Sequence, residues 1–114
     1  MDLITLALTI CLETQELDCD NIPVEVTKLE QSVSGRALLY RSGKTKIEID
    51  TDFFNNSTTK ELKSLLVHEF AHLLTYSEGH LNGNHGNTFR NNCLELAGKV
   101  GVPTYKTCSH SRGH

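Results

Sequence analysis

The 114-residue sequence has no tryptophan, one methionine, two prolines and few aromatics, three Tyr and four Phe. A chain this short has room for one hydrophobic core, so a single domain over residues 1–114 is expected. Positive charge is in deficit: eleven Lys and Arg stand against fourteen Asp and Glu, a formal net charge of −3. No global basic field advertises nucleic-acid binding. No apolar run is long enough to span a bilayer, so no membrane partner is expected. The most apolar stretch near the N-terminus, "LITLALTICL", has no Lys or Arg before it and does not read as a signal sequence. Its Leu3, Leu6, Ala7 and Ile10 follow helical spacing, which predicts a first helix packed on the core. Cysteine is scarce and scattered, at positions 11, 19, 93 and 108, with no C-x-x-C pair and no compact disulfide framework. Reduced thiols in a cytoplasmic protein are therefore expected.

What is present is an orderly alternation of element signals. "DCDNIP" is turn chemistry, and "PVEVTKL" alternates as a half-buried strand should. "SGRALLYRSGKTKIEID" reads as two strands around the turn "SGK", with Ile47 and Ile49 facing one side. Thr58 with Glu61 three residues on forms a capping box, in which each side chain satisfies a backbone N–H that the helix start leaves orphaned. That helix should run to about Tyr76 and end before Gly79. "GHLNGNHGN" is a loop, and "TFRNNCLELAGKV" a final helix capped by Asn87 or Thr88 and stopped by Gly101 and Pro103. Residues 104–114 read as a polar tail. The order predicts an α+β domain, a three-stranded antiparallel sheet against one long core helix and two further helices.

Four of the six histidines fall within residues 64–89. The long helix carries "HEFAH", that is His68, Glu69 and His72. Positions four apart share a helix face one turn from each other, so both imidazoles can reach one ion. Glu69 sits about 100° around from His68, placed to take a proton from water beside a metal. This is the H-E-x-x-H pattern of zinc hydrolases, with the glutamate as general base. Leu62, Leu65, Leu66, Phe70, Leu73 and Leu74 make this a strongly apolar helix that belongs in the core. Two histidines and a glutamate on a core helix need compensating partners, and a metal supplies them.

Two helical histidines leave a tetrahedral ion short of a protein ligand. Candidates are His80, eight residues past His72; Glu95, 23 residues past it on the last helix; and His85, after the glycine-permissive loop "NGNHG". A metzincin pattern would need a glycine and a histidine three and six residues after His72, where this chain has Thr75 and Glu78.

The stretch from about residue 33 to 100 resembles the SprT-like metallopeptidases, the group that includes Spartan. The likeness lies in Gly35-Arg36-Ala37, in Ile47-Glu48-Ile49, in His68 to His72, and in Asn84-His85-Gly86-Asn87-Thr88-Phe89. Asn84 replaces the family's usual glycine. The resemblance implies a minimal zincin-like fold, His85 as third ligand to one catalytic Zn²⁺, and Phe89 as a core anchor beside it. It also implies peptide-bond hydrolysis of proteins on DNA, switched on by the nucleic acid. For DNA, single-stranded or structured, the residues to engage it are Arg36, Arg41, Lys44 and Lys46. Tyr105 is a candidate helper that stabilises the transition state, as is His110. Cys108, His110 and His114 offer three ligands, one short of a zinc ribbon, so a frayed tail is expected there. The alternative function is a zinc-stabilised DNA- or protein-binding module without protease activity, its fourth metal position closed by His80 or Cys93.

Overall fold

The computed structural model describes residues 2–81 and 85–109. The chain opens with helix α1, Leu3–Leu12, capped by the Asp2 side chain and burying Leu6, Ala7, Ile10 and Cys11. A short 3-10 turn, Cys19–Asn21, leads into three strands: β1 Val24–Thr27, β2 Gly35–Leu39 and β3 Thr45–Asp50. β2 and β3 form the expected hairpin, with Ala37 opposite Ile47 and Gly43 taking a left-handed φ of 89° in the turn.

The sheet is mixed, not antiparallel. Its order is β1-β3-β2, and β1 runs parallel to β3, with Val24 opposite Ile47 and Val26 opposite Ile49. Residues 28–34 carry the chain past β3, so β2 pairs on the far side of β3 from β1. A period-two pattern says which face of a strand is buried but not which way its neighbour runs.

β3 runs directly into helix α2, Thr51–Asn56, an element the sequence reading does not include. The Asp50 carboxylate accepts from the backbone N–H groups of Asp52, Phe53 and Leu29, so one buried side chain caps α2 and ties the segment after β1 to it. Helix α3, Thr59–Ser77, then begins at the expected capping box: Glu61 N–H donates to Thr58 Oγ1 (3.1 Å) and Thr58 N–H to Glu61 Oε1 (2.9 Å). It ends where Gly79 adopts φ 93°. Helix α4, Asn87–Val100, has Gly86 as its N-cap, one residue ahead of the expected cap, and stops at Gly101 with φ 87°. Residues 104–107 of the expected tail form a short helix, α5, Thr104–Thr107. Residues 110–114, with His110 and His114, lie outside the described residues.

Every residue of α3 from Ser64 to Thr75 is buried. A helix buried on all sides must be enclosed by other elements; here α1, α4, β2 and β3 pack around it. β2 approaches so closely that a Cβ on Gly35 would sit 3.0 Å from Leu65 Cδ2. The core is continuous, with Ile47, Ile49, Leu65, Leu66 and Phe70 from the sheet and α3 joined by Phe89 and Leu96 from α4.

The cysteines are paired rather than free. Cys11 bonds Cys19 across the exit of α1, and Cys93 on α4 bonds Cys108 just after α5. This contradicts the expectation of reduced thiols. The pairs escape spacing rules because the 3-10 turn and α5, each too short to carry a periodic signal, bring the partners together. Among the described residues no helix is long and apolar enough to cross a membrane.

Candidate metal centre

Three imidazoles converge on one point. His68 and His72 lie one turn apart on α3, and His85 reaches them from just before α4; their ligand nitrogens all lie within 4.8 Å of one another. His85 Nε2 is 3.1 Å from both His68 Nε2 and His72 Nε2. A tetrahedral ion with metal–nitrogen bonds of about 2.05 Å sets its ligand nitrogens about 3.3 Å apart, so the two spacings to His85 are close to what zinc requires. The three residues could hold a metal ion.

Proton counting points the same way. His68 Nδ1 lies 2.9 Å from the carbonyl of Thr107, which can only accept. Nδ1 therefore carries the proton, and in the neutral ring Nε2 presents a lone pair. A single proton on His85 Nε2 cannot point at two neighbouring nitrogens at once. A cation at the centre satisfies all three.

The cluster is anchored from behind by Phe89, whose ring centroid lies 4.2, 4.9 and 5.0 Å from those of His72, His85 and His68. Phe89 occupies the first turn of α4 and is buried, as expected of a core anchor. Tyr76, one turn beyond His72 on α3, stacks on that ring at 6.2 Å.

Glu69 is fully buried, and among the described residues neither carboxylate oxygen has a hydrogen-bond partner. Burial pushes its carboxyl up to about 8. An isolated buried carboxylate is costly; a dication nearby would compensate it and restore the ionised form. Tyr76 feels the same site: burial first, then the Glu69 charge, push its phenol upward.

The other expected residues are more dispersed. His80 is exposed, and Glu95 is exposed with an ion pair to Lys99 at 3.6 Å. Neither joins the cluster. Cys93 spends its sulfur in a disulfide. Among the described residues no fourth His, Cys, Asp or Glu completes the group. Tyr105 is 82% exposed and, with His85, Arg90 and Leu94, lines a cleft of about 150 Å³. A broader groove of about 1160 Å³ is lined by Leu39, Tyr40, Leu73, Tyr76 and Leu81 among others.

The basic strip is half neutralised. Arg36 Nε lies 2.6 Å from Glu48 and its Nη1 2.9 Å from Glu30, while Lys46 Nζ lies 2.6 Å from Glu25 and 3.4 Å from Glu48. The Glu48 hydrogen bond to Arg36 and the Glu25 hydrogen bond to Lys46 raise both cations' pKa values. Arg41 and Lys44 are exposed.

The sequence reading passes over Thr107 and Ser64. The useful atom of Thr107 is a backbone carbonyl, which no residue type marks; the hydroxyl of Thr107 donates to Ser64 Oγ at 3.0 Å. Residues 7–110 match the SprT-like family model, well beyond the stretch that carries the sequence motifs. No curated protein matches the chain. With the family model spanning all three clustered histidines and the helices that present them, the chain belongs to the SprT-like family.

Proposed function

We propose that the protein is a zinc-dependent metalloendopeptidase in which His68, His72 and His85 are the protein ligands and Glu69 is the general base. The observation that carries this reading is the pairing of a fully buried carboxylate, partnerless among the described residues, with three converging imidazole nitrogens. A purely structural site would gain nothing from that carboxylate and would want a fourth protein ligand.

Bound zinc would supply Lewis acidity, polarising a peptide carbonyl and making water more acidic. Glu69 accepts the proton of the attacking water on a carboxylate oxygen and returns it to the amine nitrogen as the peptide bond breaks. Phe89 and the surrounding core hold the imidazoles against apolar surface and exclude bulk water from that side. Tyr105, which lines a cleft together with His85, would be the residue to donate its hydroxyl to the substrate carbonyl oxygen.

Protein substrates on DNA are the class that family membership favours. Arg41 and Lys44 would make the first phosphate contacts, since Arg36 and Lys46 already serve carboxylates. Such binding should weaken steeply with salt.

The test is cleavage of an unfolded protein substrate by the zinc-loaded protein and by Glu69→Gln, with and without single-stranded DNA. The variant should keep one zinc per chain and lose at least about 100-fold in rate, the lower end for a positioned general base. Undiminished cleavage by the variant would remove Glu69 from the chemistry.

A further inference from the structure

The segment after α4 does more than close the core. Thr107 ends the four-residue helix α5 and is fully buried. Its carbonyl accepts from His68 Nδ1 (2.9 Å), its hydroxyl donates to Ser64 Oγ (3.0 Å), and its N–H donates to the Pro103 carbonyl (3.1 Å). The contact with His68 matters most, because it dictates a tautomer. A carbonyl oxygen cannot donate, so Nδ1 must hold the ring proton and Nε2 is left as the lone-pair atom. Nε2 is also the atom that faces His85.

Four residues of helix cannot hold themselves in place. Next to Thr107 is Cys108, bonded to Cys93 on α4. Cys93 is fully buried and four residues beyond Phe89, on the same helix face as the ring that backs the histidines. A single covalent staple thus joins the helix that carries the anchor to the turn that carries the carbonyl. We propose that the Cys93–Cys108 disulfide, acting through the Thr107 carbonyl, is the positioning device for His68, so that the metal affinity of the site depends on this staple. The proposal rests on reading His68, His72 and His85 as metal ligands.

The second disulfide supplies the comparison. Cys11–Cys19 joins α1 to the turn after it and belongs to neither α4 nor α5. Cys11 is as deeply buried as Cys93. A staple that merely stabilises the fold should behave alike at both places.

The experiment compares zinc dissociation constants, measured by competition with a chromogenic chelator, for wild type, Cys93→Ala/Cys108→Ala and Cys11→Ala/Cys19→Ala. Both double variants should lower the unfolding midpoint. Only the first should weaken zinc binding, by about 10- to 100-fold, as loss of a group orienting a ligand does; the second should stay within about twofold of wild type. Alongside, ¹⁵N spectra of the metal-free wild type should show His68 as the Nδ1–H tautomer, and the Cys93→Ala/Cys108→Ala protein should show a mixture. If that double variant does not fold, phosphine reduction and alkylation of the folded Cys11→Ala/Cys19→Ala protein opens Cys93–Cys108 alone, and the same loss of zinc affinity is expected. Equal losses at the two staples, no loss at the first, or a mixed His68 tautomer in wild type would overturn the proposal. Failure of wild type to bind zinc would instead sink the ligand reading, and the tautomer measurement would still judge the link between Thr107 and His68.

Discussion

Phe89→Leu should damage the fold and the metal centre by separable amounts. The ring is 1% exposed and lies within 5.0 Å, centroid to centroid, of all three imidazoles. Alanine would cost about 3–5 kcal/mol, a large part of the roughly 5–15 kcal/mol that holds a domain together. Leucine keeps most of the apolar volume and should cost about 1–2 kcal/mol. The second effect is on the ligands, since a branched aliphatic chain cannot lie flat against His72 while also meeting the edges of His68 and His85. At a free zinc concentration of about 100 times the wild-type Kd, binding adds about 2.7 kcal/mol to the unfolding free energy; a tenfold weaker site at the same zinc adds about 1.4 kcal/mol. Urea unfolding of both proteins, each with buffered zinc and with chelator, measures the two gains. The variant should show about half the wild-type gain. Gains equal to within about 0.3–0.5 kcal/mol, the usual limit of additivity, would mean that Phe89 fills volume and does nothing for the ligands.

Asp50 should shape the acid limb of stability. The Leu29 N–H bond, with those of Phe53 and Asp52, holds its carboxyl below the ordinary 3.8. A depressed folded-state pKa contributes stability that is complete above the unfolded value and is lost as pH falls through the folded one. Wild type should therefore lose stability below about pH 4 more steeply than Asp50→Asn, as followed by circular dichroism; parallel acid limbs would refute this. Gly35→Ala should be destabilising because its Cβ would lie 3.2 Å from the Glu48 carbonyl and 3.0 Å from Leu65 Cδ2. The expected cost is about 1–3 kcal/mol by urea unfolding, and a neutral result would show that β2 can move off α3.

The features legible in the sequence are those whose physics is local. Thr58 and Glu61 announce the start of α3 because both halves of the capping box lie within one turn. His68 and His72 share a face because the helix repeat puts them there. His85 is harder, since its position depends on how the intervening loop returns, and family likeness rather than spacing singles it out. The orientation of β1 is not written in Val24 and Val26, whose alternation suits either direction of pairing with β3. The fate of the basic strip depends on register: Arg36 sits opposite Glu48, and Glu25 beside the same strand, so charges that look clustered along the chain are partnered across it. The disulfides and the Thr107 carbonyl are hidden for a related reason. Each depends on turns of three or four residues that carry no periodic signal, yet these turns decide what stands behind His68.

The most direct measurement is calorimetric titration of the metal-free protein with zinc, alongside His85→Ala. The account predicts one zinc per chain for wild type and, because a ligand nitrogen 3.1 Å from each of the other two is removed, binding at least about 100-fold weaker in the variant. Equal affinity in the two proteins would contradict it.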